Sequence, residues 1–92
     1  MPNYNEVKIE DDYIGYYLNG KRHRTDGPAC IRYYENGSLC SEYYYLSGKL
    51  HRTDGPAIIR YNANGSIHYK EYCLNGKKVN KGQFVKCKTI TK

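Results

Sequence analysis

The sequence predicts an all-β protein: an antiparallel β-meander built from tandem 28-residue hairpin repeats and forming a single curved sheet. Three observations lead there. The stretch HRTDGPA occurs at His23–Ala29 and again at His51–Ala57. Laid over each other without gaps, residues 16–43 and 44–71 share YYL, GK, HRTDGPA, IRY and NGS in phase, 18 identities in all. Self-similarity at such a period is the mark of a repeat array. Turn signals recur with it, since Gly20, Gly37, Gly48, Gly65 and Gly76 step 17, 11, 17 and 11 residues along the chain. No stretch keeps apolar residues at helical spacing for three turns, so no helix is expected.

In chain order, residues 1–12 are polar and acidic, and Val7 and Ile9 alternate with Lys8, enough for a short edge strand. Strand-like runs then follow at Tyr13–Leu18, Ala29–Glu35, Ser38–Leu46, Ala57–Asn62, Ser66–Leu74 and Gln83–Ile90. They are rich in Tyr, Ile, Val and Cys and are bounded by Gly and Asn. Asn19-Gly20, Asn36-Gly37, Asn64-Gly65 and Asn75-Gly76, with Ser47-Gly48 at an equivalent place, predict two-residue type I′ hairpins. Each unit thus holds one long and one short hairpin. Asp26-Gly27-Pro28 and Asp54-Gly55-Pro56 form a second kind of turn, in which Asp caps backbone N–H groups.

Two-residue loops fix a register. Ala29 then stands opposite Tyr44 and Ile31 opposite Glu42, and likewise Ala57 opposite Tyr72 and Ile59 opposite Lys70. A small residue faces a large one in each hairpin. One face carries Tyr16, Leu18, Ala29, Ile31, Tyr33, Tyr44 and Leu46, with Ala57, Ile59, Tyr61, Tyr72 and Leu74, and is the expected inner face. The other carries Cys30, Arg32, Tyr34, Ser41, Tyr43 and Tyr45, then Ile58, Arg60, Asn62, Tyr69, Glu71 and Cys73. It differs more between the copies, as a solvated face does.

Ninety-two residues make one domain. It divides into an N-terminal edge segment (1–12), a first repeat (16–43), a second (44–71), and a degenerate repeat with a capping tail (72–92). With no Trp, one Phe and twelve Tyr, tyrosine rings carry much of the burial, their hydroxyls bonded or wet. The net charge of +6 suits an acidic partner surface or simple solubility. No apolar run is long enough to span a membrane, and no signal peptide is visible. Cys30, Cys40, Cys73 and Cys87 contain no C-x-x-C, and Cys30 and Cys40 are Ile58 and His68 in the second copy. Free thiols in a cytoplasmic setting account for them, with no metal or other cofactor.

Two residue groups invite chemistry. His23 and Asp26, like His51 and Asp54, could act as base and orienter, but only Thr25 and Thr53 accompany them as nucleophiles. The scaffold reading has Asp cap the turn, Arg pair locally and His pack beside Tyr, whereas Arg24 and Arg52 as paired anion sites are the functional one. The second group is Arg32, Tyr34, Tyr43, Tyr45, Arg60 and Tyr69, basic groups interleaved with aromatics on one face. Such a face can bind protein through Tyr and Arg, or stack bases and hold phosphates.

The block YYENGSLCSEYYYLSGKLH resembles variant MORN repeats, with two Tyr, an Asn-Gly turn, a strand and a second turn ending in Gly-Lys. The longer unit with HRTDGPA resembles repeat proteins of tailed bacteriophages and giant viruses, over roughly residues 13–82. The resemblance implies an elongated β-meander, no enzymatic activity, and a role in protein assembly or lipid binding. Its viral form implies a small phage protein that blocks a host defence component, in the manner of an anti-CRISPR, inside the host cytoplasm. Two further readings stay open: a nucleic-acid binder using the same face, and pairing with a partner or a second copy through an exposed edge strand.

Overall fold

The computed structural model describes residues 3–82 and Phe84. Ten strands form: β1 (Glu6–Glu10), β2 (Tyr13–Leu18), β3 (Lys21–Arg22), β4 (Cys30–Tyr33), β5 (Leu39–Tyr43), β6 (Tyr45–Leu46), β7 (Lys49–Leu50), β8 (Ile58–Tyr61), β9 (Ile67–Leu74) and β10 (Lys77–Val79). All pairings are antiparallel. The main sheet runs β1-β2-β4-β5-β8-β9-β10, with β3 on β2, so the chain is all-β with strands in meander-like order. It is not one sheet, because β6 and β7 form a separate two-stranded ribbon. After Asn80 the chain enters a helical turn in which the Phe84 N–H donates to the Asn80 carbonyl at 3.0 Å. Phe84 therefore does not begin the strand expected at Gln83–Ile90, whose other residues lie outside those described. Its ring packs on Tyr72, centroids 4.8 Å apart.

The Asn-Gly turns are of two kinds. At Asn19-Gly20, Ser47-Gly48 and Asn75-Gly76 both residues have positive φ, as a two-residue type I′ turn demands. At Asn36-Gly37 and Asn64-Gly65 only the glycine does, with φ of 87° and 92°. There the Gly37 N–H donates to the Tyr34 carbonyl and the Tyr34 N–H to the Ser38 carbonyl, a longer turn closed by a left-handed glycine. Asn36 is chosen for its side chain: its Oδ1 accepts from the Ser38 N–H (2.9 Å) and hydroxyl (2.6 Å). Asn64 and Ser66 repeat the arrangement. The larger loop adds one residue to the second strand of each hairpin. Register shifts between Arg32 and Tyr33 and between Arg60 and Tyr61, leaving Cys40 and His68 as the extra residues.

Deeper in each hairpin the register is the expected one, with Ile31 opposite Glu42 and Ile59 opposite Lys70. The Ala–Tyr pairs do not form. The Ala29 N–H reaches the Tyr43 carbonyl, while the Tyr44 N–H, on the strand edge turned toward β8, donates to the Ala57 carbonyl, both at 2.8 Å. The expected Ser38–Leu46 strand divides at Tyr44 into β5 and β6. At the other hairpin the Ala57 N–H goes to Glu71 rather than to Tyr72.

The expected division into inner and outer faces also fails. Ala29 and Ala57 are fully buried and Ile59 is 8% exposed on the first face. But Tyr13, Cys30, Ser41, Ile58 and Cys73 are buried on the second. At the Tyr13 and Cys30 end Arg22 on β3 contributes, since it reaches the hydroxyls of Tyr13 and Tyr17. Small and large residues there alternate in two cross-strand rows, Tyr13–Arg32–Ser41–Arg60–Tyr69 and Gly15–Cys30–Tyr43–Ile58–Glu71. The first face has its own polar insertion. Glu42 sits in the row Ile14–Ile31–Glu42–Ile59, and its carboxylate accepts from the Tyr61 hydroxyl at 2.7 Å.

Burial, reinforced by that carboxylate, pushes the Tyr61 phenol up to about 12 from its ordinary 10. The phenol is protonated in folded and unfolded chain alike below pH 10, so its contribution to stability is complete there. As pH rises from 10 to about 12 the unfolded chain sheds this proton first, and the contribution is lost. The urea midpoint is expected to fall across that window, with phenolate absorbance lagging that of free tyrosine.

Candidate functional site

Each HRTDG segment packs as a closed loop. Arg24 lays its guanidinium on the Tyr16 ring, 4.1 Å from the centroid, and Arg52 on Tyr44 at 4.0 Å. Arg24 Nε donates to Asp26 at 2.9 Å and Nη1 to the Pro28 carbonyl at 3.2 Å. Arg52 does the same to Asp54 and Pro56, at 2.8 and 3.1 Å. Gly27 and Gly55 leave room for these groups, since a Cβ there would lie 2.9 and 2.8 Å from the guanidinium carbons. A groove of about 420 Å³ separates the loops, lined by both arginines and both aspartates. The expected anion sites are therefore arginines already committed to a carboxylate, a carbonyl and a ring face.

The histidines are committed as well. The Nδ1 of His23 accepts the Ser47 N–H, and that of His51 the Asn75 N–H, both at 2.9 Å. Each imidazole thus fastens the type I′ turn of the next short hairpin. His23 and Asp26 bond to different partners, the imidazole to the Ser47 N–H and the carboxylate to Arg24. Among the described residues no group of three or more His, Cys, Asp or Glu could hold a metal ion. None of the helical structure described is long and apolar enough to cross a membrane.

The Arg/Tyr face does assemble. β4 and β8 present Arg32 and Arg60, both exposed, on either side of the buried Ser41 of β5. Arg32 lies over the Tyr13 ring at 4.8 Å. Arg60 lies between Tyr43 and Tyr69, 5.9 and 5.4 Å from their centroids, and its Nε donates to the Tyr43 hydroxyl at 3.1 Å. Arg22 covers Tyr45 at 5.5 Å. Of the shallow hollows bordering Arg32, two reach across the face. One, of about 230 Å³, runs toward Arg22, Tyr43 and Tyr45; the other, of about 240 Å³, toward Tyr34, Cys40 and Arg60. Tyr34 is tied down by a 2.6 Å bond from its hydroxyl to the Tyr61 carbonyl.

The chain matches no protein-family model, no curated protein and no solved structure. The site rests on its own geometry.

Five of the six expected face residues, Arg32, Tyr34, Tyr43, Tyr45 and Arg60, line the hollows at Arg32, and Tyr69 lies beyond them against Arg60. Sequence reasoning missed Arg22, Tyr13 and Tyr17, which complete the face. A signal existed for Arg22, which stands where the second copy has Leu50. Glu71 bounds the face beyond Tyr69, and its carboxyl is held below the ordinary value by the Tyr69 phenol, which donates to it. Cys30, Cys40 and Cys73 are free thiols, and Cys87 lies outside the described residues. Burial, then the Glu71 carboxylate, pushes the Cys73 thiol up to about 11. At neutral pH it carries little thiolate. Iodoacetamide with mass mapping is expected to modify Cys40, which is half-buried, well before Cys73.

Proposed function

We propose that the protein is a non-enzymatic binding module that grips an acidic patch on a partner protein through Arg22, Arg32 and Arg60. One observation carries this reading: three arginines stand over tyrosine rings, 4.8 to 5.9 Å from their centroids, beside two open hollows. A guanidinium held on a ring is pre-organised for bidentate contact with a carboxylate and loses little freedom on binding. The nucleic-acid reading needs free ring faces for base stacking. Here Tyr13, Tyr43, Tyr45 and Tyr69 are each covered by an arginine, which favours the protein partner. The narrower reading, a variant MORN repeat array encoded by a phage to inhibit a host defence protein in the cytoplasm, rests on the sequence resemblance. The contacts that recur 28 residues apart support its repeat architecture.

The test is Arg32→Glu with Arg60→Glu. Both side chains are exposed, so the fold is expected to survive, checked by circular dichroism. Loss of a captured partner by at least about a hundredfold is expected, as for central Arg contacts. Retained affinity in the folded variant rules the face out. A complex that nuclease abolishes, and whose affinity falls steeply with salt, assigns the face to nucleic acid instead.

A further inference from the structure

The outermost strand, β1, reads Glu6-Val7-Lys8-Ile9-Glu10, and every one of its residues is exposed. It ends the main sheet, with β2 on one side and, among the described residues, no strand on the other. The direction of its backbone groups follows from β2. The Tyr16 N–H donates to Ala29 and the Asp12 carbonyl accepts from Tyr33, so even-numbered residues of that strand face β4. Tyr13, Gly15 and Tyr17 therefore face β1, opposite Glu10, Lys8 and Glu6. Val7 and Ile9 are left with their N–H and C=O groups turned to the open edge. Their side chains share one face and are 41% and 73% exposed. Glu6, Lys8 and Glu10 line the other, and none of the three has an ion-pair partner among the described residues.

We propose that β1 is a charge-coded docking edge for an antiparallel strand of a partner protein bearing the pattern basic, apolar, acidic, apolar, basic. A strand docked in register gives Val7 and Ile9 four backbone hydrogen bonds. It also sets a basic residue against Glu6, an acid against Lys8 and a second basic residue against Glu10. Opposite charges facing each other stabilise a strand pair, and like charges oppose it. The same code rejects a second copy of this chain. In the register that makes all four backbone bonds, Lys8 meets Lys8 and each Glu6 meets a Glu10. An open edge that excludes its own kind is guarded against uncontrolled pairing and kept for a complementary strand. The charged side chains of the code continue the rows of the Arg32/Arg60 face, with Glu10 beside Tyr13, Lys8 beside Gly15 and the Lys8 ammonium 6.0 Å from the Tyr17 ring. Docking here, however, uses the open backbone edge of Val7 and Ile9, which Arg32→Glu with Arg60→Glu leaves intact.

The test uses the full chain as its own probe. The triple variant Glu6→Lys/Lys8→Glu/Glu10→Lys carries the complementary pattern on the same scaffold, and all three positions are exposed. Isotope-labelled wild-type protein is titrated with the unlabelled variant, then separately with unlabelled wild type, while the Val7 and Ile9 amide resonances are followed. Saturable shifts with the variant and at least tenfold weaker response to wild type are expected. No shift with the variant, equal shifts with both, or a stronger response to wild type overturns the proposal. The variant's own amide spectrum shows whether its fold is intact. As a second probe, Lys8→Glu alone is expected to weaken binding to the triple variant, and unchanged affinity also counts against the code.

Discussion

Gly15→Val is expected to destabilise the protein by about 3 kcal/mol, toward the upper end for overpacked positions. Gly15 is buried in the middle of β2, between Lys8 of β1 and Cys30 of β4. The Tyr13 ring lies along the strand directly above it, and the Tyr13 hydroxyl bonds that of Tyr17 at 2.8 Å. A Cβ at position 15 would fall within 2.8 Å of the Tyr13 ring carbon that bears the hydroxyl. The ring is 6% exposed and has nowhere to withdraw. Displacing it also removes the seat of Arg32, so partner affinity should fall with stability. Gly37→Ala is the control. That glycine has open space around it but a φ of 87°, so about 1 kcal/mol from backbone strain alone is expected. Urea unfolding of the two variants decides whether ring displacement or loss of glycine is responsible.

Arg52→Met is expected to cost about 2 kcal/mol. The contact with Asp54 contributes little, since that carboxylate is 76% exposed and solvent-screened. Most of the loss comes from the stacking on Tyr44 and from the bond to the Pro56 carbonyl, which closes the loop. Arg52→Lys keeps the charge but lacks the planar fork, and should recover less than half. Full recovery by lysine in urea denaturation would assign the effect to charge alone. Arg24→Met is expected to cost a similar amount, because its ring and its two acceptors match.

The strand content was legible because alternation, tyrosine and paired turn residues all act over short stretches. Tyr13–Leu18 forms with the bounds read from the sequence, and Ile31 does face Glu42. What escaped was decided by single side chains acting out of pattern. Asn36 and Asn19 are the same residue before the same glycine, yet one uses its carbonyl oxygen to hold Ser38 and the other uses its tolerance of positive φ. The serine that follows the first is the only local clue. The loss of the Ala29–Tyr44 pair is invisible locally, because it depends on the Ala29 N–H meeting the Tyr43 carbonyl, fourteen residues away. The second face was taken as solvated because it varies between copies. The variation is instead a trade of sizes, with Tyr13 and Gly15 replaced by Ser41 and Tyr43, which keeps both rows filled. The candidate site was legible in its six face residues, and Arg22 was missed because β3 is only two residues long.

The imidazole bonds from His23 to Ser47 and from His51 to Asn75 always reach forward, from one short hairpin to the next. A chain fastened this way has a direction of growth. Inserting another stretch like 44–71 before Tyr72 would add one latch without disturbing those already made, so the length of such a molecule is a property evolution can dial in whole steps.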